Sequence, residues 1–235
     1  MEDQRGREAY FRFTRKKRPK QYRLAVACEY IARALANRLG LPAAKVRTAV
    51  LKGKRGKNVY GIVSWKMPAR EVVTWRMAGE NVHANPEKYV NQFELLRQVV
   101  VFDTWIANAD RAAGNLILYR NAPTDKYSWY LIDHEKAFYG ALGLRTHGRN
   151  RHLPKQTHFR CKVPKGLAVH LKAEHFAPMI QKIRNLPVSA IDMAMRSVPR
   201  GCLKQREKRI LRRFLLHRRN ILVDLMSTKN FCGIV

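Results

Sequence analysis

The sequence predicts an α+β fold, with a small sheet lobe at the amino-terminal end and a helical lobe after it. Three observations predict this. Strand-like segments crowd the first third of the chain, a densely apolar helical stretch and two short strands occupy the middle, and amphipathic helical patterns fill the remainder. The division is expected at residues 1–85 and 86–235.

Each element has its own pattern. "AYFRF" (9–13) has the aromatic bias of a short strand, and the basic "TRKKRPK" (14–20) reads as a loop closed by Pro19. Residues 22–42 form a helix in which Leu24, Cys28, Ile31, Leu35 and Leu39 make an apolar stripe, with Gly40 and Pro42 as the stop. Glu29 lies off that stripe among Ala25, Ala32 and Ala36, where it either pairs with Arg33 at the surface or faces a close neighbour. "KVRTAVL", "NVYGIVSW" and "REVVTWRM" are strand-like, and the Gly- and Lys-rich 52–58 segment resembles a hairpin loop.

From about Pro86 to Ala107 the pattern is helical and so apolar that the helix is buried on most sides. "NLILY" and "SWYLID" are two short strands around a turn at 121–125. A loop-rich basic stretch (145–166) precedes helices near 171–185, 188–196 and 203–226. The last carries Leu211, Phe214, Leu215 and Leu222 on one side, with Arg212, Arg213, Arg218 and Arg219 on a solvated remainder.

Composition narrows the functional classes. Lys and Arg number 47 against 17 Asp and Glu, a net +30, which implies attraction to polyanions such as nucleic acid, nucleotides, phosphorylated proteins or an anionic membrane face. The charge is spread over 15–20, 52–57, 145–165 and 204–219. A hydrophobic content of 46% is enough for a real core. Cys28, Cys161, Cys202 and Cys232 are too dispersed for a disulfide framework or a zinc site, and neither a signal peptide nor a membrane-spanning run is legible, so a soluble cytoplasmic protein is expected.

The chemistry-bearing stretch is "VFDTWIANADRAAGNLIL" (101–118), with "YLIDHEKAF" (130–138) shortly after it. Asp110 and Asn115 are separated by four residues, the spacing at which a kinase catalytic loop places an Asp against the acceptor hydroxyl and an Asn on a metal ion. Asp133 ends the next apolar strand, and a hairpin would bring it close to Asn115. Phosphoryl transfer needs this type of equipment: hard oxygen ligands for Mg²⁺ and an in-line acceptor. Taken singly, each of the three residues also fits a turn or helix cap.

These residues resemble the HipA-like kinases, specifically the short stand-alone HipA-like kinase domains. "LANRLGLP" (35–42) with the upstream Glu29, and "VPRGCLKQREKRILRRFLLHRRNIL" (198–222), extend the resemblance over most of the chain from about Tyr10. The Asp110–Arg111…Asn115 pattern is also similar to that of phosphatidylinositol kinases. The resemblance implies a two-lobed protein-kinase-like fold and ATP- and Mg-dependent transfer, most simply to a Ser or Thr of a protein. It makes Asp110 the catalytic Asp, Asn108 the residue that fixes its loop, and Asn115 and Asp133 the metal ligands, with Asp103 and Trp105 as scaffolding. His134 and Glu135 stand where classical kinases have Phe and Gly, without an assigned role. Relatives of this family act as toxins with a DNA-binding partner, so an antitoxin-like partner is also implied.

Two departures accompany the resemblance. The family's phosphate-pairing Lys in the first strand is here Arg12, which keeps the charge but is bulkier and forked; Lys16 or Lys17 is the alternative, and Glu29 the partner carboxylate. Only nine residues with one glycine, Gly6, precede Tyr10, so the nucleotide-binding lobe is expected to be incomplete at its start. The alternative function is therefore a catalytically impaired, kinase-derived protein that uses its basic surface on nucleic acid or another polyanion.

Other motifs carry less. His147, His152, His158 and Cys161 match no zinc spacing and read as a solvated loop. Lys52, Lys54 and Lys57 around Gly53 and Gly56 lack the frame of a phosphate-binding loop and read as a turn.

Overall fold

The computed structural model describes residues 8–13, 19–52, 56, 58–108, 110–138 and 162–227. Lys16, Lys17, Lys54, Lys57, His147, His152, His158 and Cys161 lie outside the described residues.

The β-branched and aromatic first third forms an antiparallel sheet of order β1-β3-β2 from β1 (Ala9–Phe13), β2 (Val46–Lys52) and β3 (Asn58–Trp65). β2 and β3 pair antiparallel, the register running from Val46 opposite Ser64 to Lys52 opposite Asn58. On the other side of β3, Arg12 stands opposite Ile62 and Phe13 opposite Gly61. A Cβ at position 61 would overlap the Arg12 carbonyl oxygen and the Phe11 ring, so glycine there is what lets β1 lie close with its side chains folded over.

Helix α1 (Pro19–Arg38) starts at Pro19, the residue expected to close the preceding loop. The missing N–H costs nothing at the first helical position, and proline's fixed φ suits it. The predicted stripe is buried: Leu24, Cys28, Ile31 and Leu35 are fully inaccessible. A second face carries Val26 against Val46 and Ile62 under the sheet, so one helix seals two clusters. Its Arg23 donates to the Glu207 carboxylate (2.6 Å) and to the Cys202 carbonyl (2.9 Å), tying the carboxy-terminal segment to the helix start.

A second antiparallel sheet, β4-β5-β6, is made by β4 (Glu71–Thr74), β5 (Leu116–Arg120) and β6 (Ser128–Leu131). It joins a strand from before residue 85 to the hairpin predicted around 121–125.

After a short α2 (Glu80–Ala84), the single helix expected over 86–107 is instead a series: α3 (Pro86–Tyr89), α4 (Phe93–Arg97) and α5 (Val99–Trp105). The break is tertiary. Val90 is extended and bridges Tyr127, the Asn91 N–H donates to the Tyr127 carbonyl at 2.8 Å, and Gln92 turns left-handed at φ 52°. Pairing with the hairpin outweighs helix propensity there. The expected burial holds: every residue of α5 is buried.

Helices α6 (Ala177–Arg184), α7 (Val188–Arg196), α8 (Gln205–Asn220) and α9 (Leu222–Leu225) complete the core. Residues 168–175 form 3₁₀ turns where the expected helix would have begun, and Ile221 interrupts the expected 203–226 helix. No described helix is long and apolar enough to cross a membrane. Cys28 and Cys202 are both free thiols.

Candidate active site

The site rests on the end of α5. Trp105 is fully buried and its indole N–H donates to the Leu215 carbonyl at 3.0 Å. Arg218, expected on a solvated face, is only 2% exposed: it donates to the Thr104 carbonyl at 2.6 Å and the Trp105 carbonyl at 3.0 Å. A guanidinium on the last carbonyls of a helix satisfies acceptors that have no intrahelical donor and complements the helix dipole. Helix α8 therefore clamps the platform from which the loop departs.

Asp103, fully buried, organises the loop beyond the helix end. Its carboxylate accepts from Arg111 Nε (2.7 Å) and Nη2 (3.1 Å) as a forked pair, and from Asn108 Nδ2 at 2.8 Å. Asn108 is itself fully buried, and its side-chain oxygen accepts the Asp110 N–H at 3.3 Å. The backbone takes up a left-handed conformation at Ala107 (φ 49°) to make this corner. Such a residue costs energy unless its surroundings hold it, and here the Asp103 hydrogen bonds hold it on the far side.

Arg111 is the hub. Besides Asp103 it donates through Nη1 to the Asn115 carbonyl (2.8 Å) and the Ile132 carbonyl (3.0 Å), and its Nη2 lies 2.9 Å from His134 Nε2. One guanidinium thus fastens the loop, the start of β5 and the end of β6. The Ile132 N–H closes the same joint on the Asn115 carbonyl at 3.1 Å. Asn115 Nδ2 donates to the Asp110 carbonyl at 2.8 Å, and its side-chain oxygen accepts no hydrogen bond from a described residue.

Asp133 lies next along the chain, with a left-handed backbone of φ 60°. Asp tolerates that region better than most residues. Its Oδ1 accepts from Arg12 Nη1 at 2.6 Å, and the same nitrogen lies 3.5 Å from Glu29 Oε1 and 3.4 Å from Glu135 Oε2. Glu29 faces inward and is 4% exposed; no pair with Arg33 forms among the described residues. Burial by itself would raise the Glu29 carboxyl, but His134 and then Arg12 outweigh it and hold it below the ordinary carboxylate value. Glu135 goes the other way, raised by burial and by the neighbouring Asp133.

His134 explains itself through both ring nitrogens. Nε2 faces the Arg111 guanidinium, which has only donors, so Nε2 accepts and the proton sits on Nδ1, 3.6 Å from Glu29 Oε2. The buried imidazole therefore transmits the position of the Asp103–Arg111 pair to Glu29 on α1.

Asp110, with a side chain 20% exposed, forms ion pairs with Lys136 and, at 3.5 Å, with Lys162. Burial pushes its carboxyl up, but the two lysines outweigh that and hold it below its ordinary value. Asp110 is an anion at neutral pH.

Between the two sheets lies a cavity of about 610 Å³, within the size range of small-molecule sites. Apolar side chains such as Val46, Ile62, Val72 and Ile117 form its walls, and Arg12, Glu29, Asp133 and His134 gather on one side. Gly114 lines it, while Asp110, Asn108 and Asn115 do not. Of the six residues singled out from the sequence, Arg12, Glu29 and Asp133 thus converge on the cavity. Asn108, Asp110 and Asn115 form the adjoining loop. Among the described residues no cluster of three or more His, Cys, Asp or Glu is arranged to hold a metal by itself.

Sequence reasoning gave no role to Arg111, Lys136 or Lys162. The first had a signal, an Arg in the frame of Asp110 and Asn115 and eight residues beyond a buried-helix Asp. The lysines had none, since a basic chain offers many.

A family model described as HipA-like kinase matches residues 8–200. By fold the chain is similar to the Helicobacter pylori proinflammatory kinase CtkA, with a TM-score of 0.60 at 13% identity over 98% of this chain and 93% of that one. It is also similar to HipA in the Shewanella oneidensis toxin–antitoxin complex of HipA, HipB and operator DNA, with a TM-score of 0.50 at 12% identity. That match covers 96% of this chain, which spans 60% of the HipA chain. Among curated proteins no sequence matches.

Proposed function

Because the chain belongs to the HipA-like kinase family, we propose that it transfers the terminal phosphoryl group of ATP, with Mg²⁺, to a Ser or Thr hydroxyl of a protein in the cytoplasm. In this reading residues 1–85 serve nucleotide binding and 86–235 serve catalysis. The observation that carries it is the convergence of Arg12, Glu29 and Asp133, from three distant elements, on one wall of the inter-sheet cavity beside the Asp110 loop.

The donor set suits the group. Mg²⁺ is held in such sites by one or two carboxylates plus phosphate oxygens, so Asp133 with the Asn115 oxygen, which accepts no hydrogen bond from a described residue, suits it. When bound, Mg·ATP supplies the transferable phosphoryl group and part of the charge neutralisation. Every other task falls to the chain. Asp110 accepts a hydrogen bond from the acceptor hydroxyl, orients its lone pair and receives its proton. Arg12 on β1 binds phosphate oxygens, and the buried Glu29 fixes its direction. As the structure stands, Arg12 neutralises Asp133 and Lys136 neutralises Asp110. Both pairs open as phosphates arrive, which frees two carboxylates for their roles and two cations for phosphate oxygens.

Purified protein with labelled ATP and Mg²⁺ should show autophosphorylation or transfer that Asp110→Asn and Asp133→Ala abolish. Equal signal from wild type and both variants would sink the reading. A catalytically impaired binding protein is the second reading, favoured by Arg12 where the family's Lys is expected and by the net charge of +30. It predicts salt-sensitive nucleic-acid binding indifferent to Asp110→Asn and no Mg·ATP-induced melting shift. A partner of antitoxin type belongs to the same proposal, by analogy with the Shewanella complex, and is tested by co-purification.

A further inference from the structure

A second cavity, of about 980 Å³, opens where α1, the 42–47 connection, the 65–68 connection and the β5–β6 hairpin meet. It is separate from the catalytic loop, although it shares Ala44, Val46 and Tyr130 with the inter-sheet cavity. Its charge is one-sided. Four cations line it, Arg33, Lys45, Arg47 and Lys66, against one acid, Glu8, which already pairs with Lys66 at 2.6 Å.

The other three cations are uncompensated: Arg33, Lys45 and Arg47 form no ion pair among the described residues. Lys45 and Arg47 are exposed and Arg33 is half-buried, so the cations lining the cavity call for an anionic ligand. The walls add a second requirement, because the half-buried rings of Trp65 and Tyr119 line the same space together with the buried Trp129 and Tyr130.

From this pairing of uncompensated cations with flat aromatic walls we infer that the cavity is a binding site for single-stranded nucleic acid. Phosphates lie on Arg33, Lys45 and Arg47, and bases stack on Trp65 and Tyr119. Cations that track a backbone beside rings that accept any base are the requirements for binding single strands without reading sequence. An acidic peptide would use the cations but brings no flat groups to stack on the rings. Double-stranded nucleic acid could not bring its bases to them. The site does not depend on phosphoryl transfer.

The test is anisotropy of a labelled oligouridine of about ten nucleotides, titrated with the full chain between about 50 and 200 mM salt. Lys45→Ala/Arg47→Ala removes two exposed cations without touching the core or the catalytic loop. It should weaken binding at least about tenfold and flatten the salt slope by about 1.4, or roughly 0.7 per cation. Arg209→Ala/Arg213→Ala removes the same charge from the exposed side of α8 and should leave affinity near wild type. Of the four tryptophans, Trp75, Trp105 and Trp129 are buried, so quenching of intrinsic fluorescence by the oligonucleotide should report Trp65 and vanish in Trp65→Phe. Equal weakening by both double variants would mean diffuse charge and overturn the site. Displacement of the RNA by polyglutamate as effectively as by unlabelled RNA would overturn the ligand class. Absence of binding at the lower salt would overturn both.

Discussion

Arg12 and Asp133, separated by 121 residues of sequence, are joined across the cleft by a 2.6 Å hydrogen bond from Nη1 to Oδ1. The same guanidinium lies within 3.5 Å of Glu29 and Glu135. A single cation among three carboxylates is a poised arrangement, since any phosphate entering the cavity competes for it.

Arg12→Ala should therefore remove most of the melting shift induced by Mg·ATP. Loss of hydrogen bonds to a charged group costs about 1.5–3 kcal/mol, roughly tenfold or more in affinity. Arg12→Lys should restore part of it, since an ammonium keeps the charge without the fork. Thermal-shift titration with Mg·ATP checks both.

Asp110→Asn should lower transfer by about 10²–10⁴ while leaving nucleotide binding intact, the range for loss of a positioned general base. A parallel loss in nucleotide affinity would place Asp110 among the binding residues instead. Single-turnover phosphorylation beside a binding measurement separates the outcomes.

Lys136 provides a sign test. Its pairing with Asp110 helps to hold that carboxyl below its ordinary value. Lys136→Met removes a lowering influence, so the acid limb of the pH–rate profile should move to higher pH. A profile that keeps its acid limb while losing rate would assign Lys136 to phosphate alone.

Arg111 should be the costliest site residue to alter for stability. Arg111→Ala leaves the Asp103 carboxylate fully buried and strips donors from the Asn115 and Ile132 carbonyls. Breaking a buried pair from one side costs about 3–5 kcal/mol, and Arg111→Lys should recover little because one ammonium cannot reach every acceptor. Urea denaturation measures the loss.

Glu29 links stability to pH. Its folded-state pKa lies below the ordinary 4.5, so the unfolded chain binds more protons around that pH. The stabilisation is fully present above about pH 4.5 and is lost as the pH falls through the lower folded value. The melting-temperature difference between wild type and Glu29→Gln should accordingly shrink in acid. A difference that stays constant to low pH would mean the carboxylate charge contributes nothing.

The short-range features were legible. The α1 stripe, the strands β2 and β3, the β5–β6 hairpin and the Asp110, Asn115 and Asp133 frame all come from periodicity and spacing. Long-range competition was not legible. Nothing local marks Val90 as extended rather than helical, because the reason is its pairing with Tyr127. Arg218 looks like any other arginine on a basic helix until α5 ends against it.

What the sequence determined by itself is the α1 stripe and the strand segments, the family resemblance and the identity of the loop residues, because these depend on neighbours within a few positions. The tertiary structure alone decided the direction of Glu29, the partner of Arg12 and the task of His134. Burial and charge at those positions are set by groups 17 to 121 residues away, and only packing brings a buried imidazole between Arg111 and Glu29.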